Sequence, residues 1–326
     1  MIITKTPYRI SFFGGGSDYP SWYRKNGGAV LSTTIDKYIY ITCRFSPKYF
    51  KEKYRIVWRK IENVKNINNI NHKAVRYLLK YLKIKQGLEI HYYGDLPARS
   101  GMGSSSSFTV GLMQALYKIK NLNLTKSKLA KNSIHFEQNL MKEVVGSQDQ
   151  TSASFGGFNK IIFKKNNSIS VKRISSNKNL KKLNDNLLLI YTGINRTAHK
   201  IANQYVNKLT TAKKQNIKKI LTYVKDAEYI LKYGDIDDFG LLLNDAWMEK
   251  KALSNLITNS KINDIYDDAI INGALGGKLL GAGGGGFLLM YMKKRDREKF
   301  LKKNKKLINI PFKFSSSGSE IIFDQL

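Results

Sequence analysis

Residues 97–107 read Pro-Ala-Arg-Ser-Gly-Met-Gly-Ser-Ser-Ser-Ser, and this stretch separates two different hydrophobic patterns. Before it, apolar or aromatic side chains alternate with polar ones at Leu88, Ile90 and Tyr92, which predicts a half-buried strand. After it, apolar side chains recur on one helical face, at Phe108, Leu112, Leu116 and Ile119. The stretch is therefore predicted to be a loop at a helix N-terminus, where free N–H groups and the helix dipole favour an anion such as phosphate.

The loop does not follow the two common nucleotide-binding patterns. No lysine follows its glycines, as the G-x-x-x-x-G-K-[ST] pattern requires, and it does not fit G-x-G-x-x-G. Taken alone, such a stretch is more often a tight loop whose serine caps the helix. Two further glycine clusters, at residues 14–16 and 281–286, favour the phosphate-binding interpretation.

Together the three glycine segments resemble the motifs of the GHMP kinases, the family of galactokinase, homoserine kinase, mevalonate kinase and phosphomevalonate kinase. Motif one matches residues 6–18, motif two matches residues 97–105 with Met102 in place of leucine, and motif three matches residues 281–286. The ordered triple is far more specific than any one member. Residues 12–20, Phe-Phe-Gly-Gly-Gly-Ser-Asp-Tyr-Pro, look like motif one of the D-glycero-D-manno-heptose 7-phosphate kinases, whereas a galactokinase is expected to carry Gly-Glu-His there.

The composition is typical of a globular protein. The 326 residues are 42% hydrophobic, which predicts a folded chain of one or two domains. The single Cys43 excludes an intrachain disulfide and is expected to be a core residue of a cytoplasmic protein. Four scattered His and one Cys argue against a zinc site. No apolar run resembles a signal peptide or a membrane span, so we expect no membrane partner.

The formal net charge of +32 invites a nucleic-acid-binding interpretation. Lysine and asparagine are abundant together in nearly every segment, however, which is typical of a general compositional bias and not of a patch. We therefore expect no specific nucleic acid, only salt-dependent binding to polyanions. A positive field also attracts an anionic nucleotide and substrate.

The hydrophobic patterns predict an α+β fold with two domains. Strands are predicted at residues 2–10, 38–43, 88–92, 158–163, 169–174, 187–191 and 287–291, and helices after the loop, at about 127–145 and around 262–270. The polar stretch 175–186 predicts a boundary between domains 1–175 and 186–326. The resemblance implies an N-terminal domain like domain 2 of ribosomal protein S5 and a C-terminal ferredoxin-like domain, with the active site between them.

The resemblance also implies ATP and Mg²⁺ as cofactors of motif two. The residues implied for ATP are Pro97, Arg99, Ser100, Gly101, Met102, Gly103, Ser104, Ser105 and Ser106. Glu137 matches the carboxylate that reaches magnesium in several family members, paired here with Ser105. The competing interpretation of Glu137 is a solvated glutamate on a helix face.

Two residues are implied to be catalytic. Asp149 matches the aspartate that acts as base in galactokinase-like members, and Arg9 matches the guanidinium beside it. From the residues alone, Asp149 is equally consistent with a helix cap, and Arg9 with a solvated charge or an ion-pair partner.

The remaining implied residues bind the sugar substrate. They are Ser11, Gly15, Gly16, Asp18, Gly193 and Arg196. Asp18 is a candidate for hydrogen bonds with sugar hydroxyls, with helix capping as its competitor. Arg196 is a hypothesis for a distal phosphate, because its guanidinium suits a phosphate, and a surface ion pair is the alternative.

The resemblance thus implies a kinase that phosphorylates the anomeric hydroxyl of D-glycero-D-manno-heptose 7-phosphate to give the 1,7-bisphosphate. The expected partners are small molecules, and a homodimer is compatible with the sequence. Two alternatives stay open: another GHMP sugar kinase of the fucose or galactose type, or an RNA-binding protein. An RNA-binding protein does not require an aspartate base, so Asp149 together with all three glycine motifs favours an enzyme.

Overall fold

The computed structural model describes residues 1–175, 177–194, 204 and 206–325. Its strands are β1 (Ile2–Phe13), β2 (Gly28–Phe45), β3 (Tyr54–Val57), β4 (Ile61–Val64), β5 (Leu88–Gly94), β6 (Phe158–Phe163), β7 (Ile169–Arg173), β8 (Leu187–Tyr191), β9 (Ala274–Leu279), β10 (Phe287–Met292), β11 (Ile308–Asn309), β12 (Phe314–Ser315) and β13 (Glu320–Asp324). These strands form two sheets.

Helices pack on both sheets. They are α1 (Pro20–Asn26), α2 (Lys73–Tyr81), α3 (Ser104–Ile119), α4 (Lys126–His135), α5 (Gln148–Phe155), α6 (Lys178–Asn186), α7 (Lys214–Tyr233), α8 (Ile236–Lys251), α9 (Ser260–Ile271) and α10 (Lys294–Lys303). The predicted α+β class is therefore confirmed. Within the described ranges, no helix combines the length and apolar character that crossing a membrane requires.

The first sheet is organised around the long strand β2. Strand β1 pairs antiparallel with β2 along most of its length, β5 pairs with its C-terminal half, and β6 with its N-terminal half. Helices α3 and α5 pack against β1 and β2. The loop that follows β1 and the N-termini of α3 and α5 consequently meet at one edge of this layer.

The second sheet has the strand order β11-β8-β10-β9, and all of its pairs are antiparallel. In chain order the elements run β8, helices, β9, β10, α10, β11, which is the β-α-β-β-α-β order of a ferredoxin-like domain. Every residue of β10 is buried, because its alternate side chains pack into two different hydrophobic clusters. The order of the elements and the antiparallel pairing of the strands agree with the predicted ferredoxin-like fold.

The end of the chain returns to the first sheet. Strand β12 pairs with β2, and β13 pairs with β1. Residues 314–324 thus contribute strands to the sheet of the first half, although the predicted domain 186–326 contains them. The division into domains 1–175 and 186–326 stays a prediction.

The predicted helix at 127–145 is too long. Helix α4 ends at His135, a π-helical turn covers Phe136–Leu140, and residues 141–147 are not helical. The wider turn ends with the Met141 N–H donating to Phe136 O, and Lys142 then adopts φ +54°, which a continuing α-helix does not allow. The non-helical segment leads the chain back to α5.

The polar stretch 175–186, at which the sequence predicts a domain boundary, contains a helix that the sequence pattern did not indicate. Residues 178–186 form α6, whose Leu180 and Leu183 are buried. Asn177 caps this helix, its side chain accepting a hydrogen bond from the Leu180 N–H at 2.8 Å. Two apolar residues at helical spacing and one cap were too weak a pattern to indicate a helix among so many lysines and asparagines.

Candidate active site

The glycine- and serine-rich loop joins β5 to α3, as the sequence predicts. Gly103 precedes the first residue of α3 and has φ +76°, a left-handed conformation that glycine adopts without steric cost. Its carbonyl oxygen accepts the first helical hydrogen bond, from the Ser107 N–H at 2.9 Å. The N–H groups of residues 104–106 therefore lie in the first turn of the helix, where an anion is favoured.

The three glycine motifs contact one another. The Arg9 N–H of motif one donates to Met102 O at 3.1 Å, and the Phe287 N–H after motif three donates to Ser100 O at 3.2 Å. Gly101 lies so close to motif three that a side-chain carbon on it would be 2.6 Å from Leu280 O. Motif three thus packs against the loop and fixes its backbone.

Arg9 and Asp149 form a bidentate ion pair. Arg9 Nε donates to Asp149 Oδ1 at 2.7 Å, and Nη2 donates to Oδ2 at 2.8 Å. The remaining nitrogen, Nη1, donates to Gly101 O at 2.7 Å. The Arg9 side chain is 4% exposed and that of Asp149 is 25% exposed, so the carboxylate is fixed yet open to a ligand.

Asp18 connects the motif-one loop to the start of α5. Its Oδ1 accepts from the Gly16 N–H at 3.0 Å and its Oδ2 from the Gln148 N–H at 3.3 Å. Burial, together with the nearby Asp149 charge, raises the pKa of Asp18 to about 6. Ser11 is held in the same region, its hydroxyl donating to Gln148 Oε1 at 2.7 Å.

Glu137 contacts Ser106 and not Ser105. The Ser106 hydroxyl donates to Glu137 Oε2 at 2.8 Å, and the Gln150 amide donates to the same oxygen. Ser105 is exposed at the cleft. Burial raises the pKa of Glu137 to about 7, against the opposing effect of its hydrogen bonds. Residue 106, on the inner face of α3, is thus the serine directed at Glu137, and the pairing of Glu137 with Ser105 on magnesium stays a prediction.

These groups surround a cleft of about 690 Å³, a volume typical of a small-molecule site. The predicted residues that line it are Arg9, Ser11, Gly15, Gly16, Asp18, Arg99, Gly101, Gly103, Ser104, Ser105, Ser106 and Asp149. Of the other predicted residues, Ser100, Met102 and Glu137 are buried and do not line the cleft, whereas Pro97 and Gly193 are exposed outside it. Arg196 lies outside the described residues.

The sequence analysis missed four lysines of the cleft: Lys73 and Lys142, which are exposed, and Lys250 and Lys278, which are not. Lys278 is a single cation within a buried apolar strand, and that is the signal that could have drawn attention to it. Lys250 belongs to a Glu-Lys-Lys run at the end of α8, which is typical of a solvated helix terminus and gave no such signal. Gln148, which holds Ser11, was missed as well.

Oxygen ligands are available for a magnesium ion. The described ranges contain no group of three or more His, Cys, Asp or Glu side chains that could hold a metal ion. A single carboxylate with neighbouring hydroxyls suits Mg²⁺, which commonly keeps several waters and takes further oxygens from phosphates. Glu137 with the serines at the start of α3 fits this requirement.

Comparison with known proteins agrees with the fold and the motifs. The GHMP kinases N terminal domain family matches residues 69–157, and the GHMP kinases C terminal family matches residues 226–308. A D-glycero-alpha-D-manno-heptose 7-phosphate kinase of Campylobacter jejuni is 30% identical over 97% of both chains.

Two solved structures are similar over nearly the whole chain. A D-glycero-D-manno-heptose 1-phosphate kinase from Bacteroides thetaiotaomicron superposes with a TM-score of 0.81 over 100% of both chains, at 22% identity, and supports the fold. A Campylobacter jejuni protein described as a sugar kinase has a TM-score of 0.73 and 27% identity, covering 98% of this chain and 97% of its own. The chain belongs to the GHMP kinase family and is a sugar kinase.

Proposed function

We propose that this kinase transfers the γ-phosphoryl group of ATP to the anomeric hydroxyl of D-glycero-D-manno-heptose 7-phosphate. The product is the 1,7-bisphosphate, which would supply nucleotide-activated heptose for surface polysaccharide synthesis. The heptose assignment rests on the form of residues 12–20 and on the activity named for the Campylobacter jejuni relative. The transfer itself is derived from the residues of the cleft.

The main support for phosphoryl transfer in this cleft is the Arg9–Asp149 ion pair. A methyl group on Gly103 would lie 3.2 Å from Arg9 Cγ and 3.5 Å from Asp149 Oδ2, so a phosphate held by the loop would lie directly beside the pair. Each carboxylate oxygen of Asp149 accepts one hydrogen bond from Arg9 and keeps a second lone pair. Asp149 is thereby able to orient a sugar hydroxyl or to accept its proton, while the Arg9 charge stabilises the transferred group.

The nucleotide phosphates would bind to the N–H groups of residues 104–106. Mg²⁺, when bound, neutralises the β- and γ-phosphate oxygens. We assign its protein ligands to Glu137 and a serine at the start of α3, where Ser106 is already in contact with the carboxylate. Glu137 would fill this role only in its ionised form, so it would have to lose the proton that burial favours.

The acceptor sugar would bind beside the motif-one loop. Ser11, Gly15, Gly16 and Asp18 line the cleft there, next to Asp149. Both oxygens of Asp18 already accept backbone N–H groups, so it would meet sugar hydroxyls with its remaining lone pairs. Roles for Gly193 and Arg196 in substrate binding stay predictions.

A panel assay of ADP release tests the proposal. The acceptors are heptose 7-phosphate, unphosphorylated heptose, galactose and fucose. A charge-assisted hydrogen bond to phosphate contributes roughly 1.5–3 kcal/mol, so two such contacts predict a kcat/KM advantage of at least about a hundredfold for the phosphorylated heptose. Equal or better activity on a free hexose would exclude the heptose phosphate assignment and leave a kinase of the galactose or fucose type.

A further inference from the structure

Two lysines lie in the wall of the cleft, Lys278 buried and Lys250 half-buried. Lys278 belongs to β9 and is 8% exposed, and Lys250 is the penultimate residue of α8. Both line the same cleft as Arg9 and Asp149. The reaction steps described above do not use either residue.

Among the described residues, both ammonium groups donate to backbone carbonyl groups, and one of them also lies near an aromatic ring. Lys278 Nζ donates to Phe12 O at 2.5 Å, and Lys250 Nζ donates to Leu279 O at 2.7 Å and Gly281 O at 2.6 Å. The Lys250 ammonium also lies 5.9 Å from the centre of the Trp247 ring. Across the described residues, neither lysine forms an ion pair with a carboxylate.

In the protein without ligand, the surroundings of Lys250 and Lys278 disfavour the charged forms of both side chains. Burial, followed by repulsion from Arg9, lowers the pKa of Lys278 to about 7. Burial, followed by the charges of Lys278 and Arg9, lowers the pKa of Lys250 well below its ordinary value. Asp149 offsets the charge of Arg9, but no carboxylate in the described part of the chain pairs with Lys250 or Lys278. A buried charge without a counter-ion is costly, and an anionic ligand would remove that cost.

The hydrogen bonds with backbone carbonyl groups also fix the positions of the two ammonium groups. Lys278 is held against the end of β1, just before the motif-one loop, and Lys250 is held against the strand end and first glycine of motif three. Each ammonium group has three N–H donors. Lys278 uses one of them and Lys250 two on these carbonyls, so at least one donor of each remains for a ligand in the cleft.

We propose that Lys250 and Lys278 together bind a phosphoryl group inside the cleft, beside the Arg9–Asp149 pair. Two sources can present this group, the γ-phosphate of the nucleotide and the phosphate already carried by the acceptor. The identity of the acceptor rests on the proposed function, whereas the binding of a phosphoryl group does not.

Calorimetric titration of the full chain without turnover tests the inference in two arms. The first compares a non-hydrolysable ATP analogue with ADP, which differ in the γ-phosphate, and the second compares heptose 7-phosphate with unphosphorylated heptose. The variants are Lys250→Met and Lys278→Met, which keep the chain length and remove the charge. Lys251→Met is the matched control, since Lys251 is adjacent on α8 and does not line the cleft.

We expect each cleft variant to lose at least about tenfold in affinity for the phosphoryl-bearing ligand of one arm, with its partner ligand and the control variant unchanged. Loss for the ATP analogue alone identifies the transferred group, and loss for heptose 7-phosphate alone identifies the acceptor phosphate. Thermal melting verifies folding, and Met is expected to keep or raise the melting temperature because a buried charge is removed.

Unchanged affinities in both arms would overturn the inference. If the wild-type chain does not bind heptose 7-phosphate, the proposed substrate fails and the nucleotide arm alone decides: a selective loss for the ATP analogue supports the lysine site, and no loss refutes it. The two proposals therefore fail independently.

Discussion

Arg9 and Asp149 lie 140 residues apart in the chain and are joined by two parallel hydrogen bonds of 2.7 and 2.8 Å. The first residue belongs to β1 of the first sheet, and the second to the first turn of α5. Because the guanidinium is also bonded to the Gly101 carbonyl, the pair ties the carboxylate to the glycine-rich loop. The relative positions of loop, arginine and carboxylate are consequently fixed before any substrate binds.

Replacing Asp149 with Asn should separate chemistry from binding. The amide keeps the size of the side chain but loses the charge and one acceptor for Arg9, so we expect turnover to fall by about two to four orders of magnitude. The dissociation constant of ADP should stay within a few-fold. Steady-state kinetics and calorimetry measure both, with Asp226→Asn on the exposed face of α7 as control. Turnover close to that of the wild type would show that Asp149 is structural.

A methyl group on Gly103 should block the phosphate loop. Gly103→Ala places a side chain at φ +76° and 3.2 Å from Arg9 Cγ. Gly27→Ala is a matched control, since Gly27 has φ +73° and its nearest neighbour would be 3.8 Å away. Gly103→Ala should cost about 1–2 kcal/mol of unfolding free energy, and Gly27→Ala about 1–3 kcal/mol, because its ψ of 165° lies in a region that glycine alone adopts readily. Only Gly103→Ala should weaken ATP binding, by at least about tenfold. Equal ATP affinity in the two variants would show that the loop is not part of the nucleotide site.

Glu137 should make the protein less stable as the pH rises. Its pKa is raised to about 7 in the folded chain, so the folded state holds a proton that the unfolded state releases above its ordinary pKa of 4.5. Stability therefore falls between about pH 4.5 and 7, and the loss from Glu137 between pH 5 and pH 8 should be about 2 kcal/mol. Urea unfolding without Mg²⁺ measures it.

The Glu137→Gln variant should lack that part of the pH dependence, whereas Glu298→Gln, at an exposed position, should retain it. Asp18, whose pKa is also raised, contributes in the same direction and remains in both variants. An identical pH dependence in wild type and Glu137→Gln would contradict a buried, protonated Glu137.

Glu228 should act in the opposite direction, at low pH. Its carboxylate accepts from Lys160 of β6 at 2.5 Å and from Lys232 of its own helix α7 at 3.2 Å, and these hydrogen bonds lower its pKa to about 2. Stability from this group is present above pH 4.5 and is lost as the pH falls towards 2. Because water reaches the lysines and screens the contact, we expect Glu228 to contribute only about 1 kcal/mol to the free energy of unfolding.

Acid titration of unfolding in Glu228→Gln and wild type measures the contribution of Glu228. The variant should be less stable near neutral pH and should differ little from the wild type near pH 2. A variant as stable as the wild type at pH 7 would mean that the contact between β6 and α7 contributes nothing.

The sequence predicted the parts of the fold that depend on local pattern. The strand before residue 97, the loop and α3 follow from alternation, glycine and helical spacing, and the structure confirms them. The end of α4 could not be predicted in this way. The apolar spacing continues past His135, whereas the π turn buries Phe136 and Glu137 and Lys142 then adopts a left-handed conformation, neither of which the spacing indicates.

Tertiary packing also explains what was missed in the site. In the sequence, Lys250 resembles an ordinary lysine at a helix end. Its place in the cleft depends on its hydrogen bonds with Leu279 of β9 and Gly281 of motif three. The choice of Ser106 over Ser105 as the contact of Glu137 depends on the rotation of α3, which four consecutive serines leave undefined. Lys278 could have been identified as a candidate site residue from the sequence, because a single charged side chain in a buried strand is unusual.

The position at which the sugar is phosphorylated tests the central claim most directly. Phosphorus NMR of a reaction with ATP and D-glycero-D-manno-heptose 7-phosphate resolves the acceptor's own phosphate from a new one. We predict a new signal coupled to the anomeric proton, formed in step with ADP, while the original 7-phosphate signal persists. ADP formation without an anomeric phosphate, or no transfer to this sugar under conditions in which a free hexose is phosphorylated, would contradict the account.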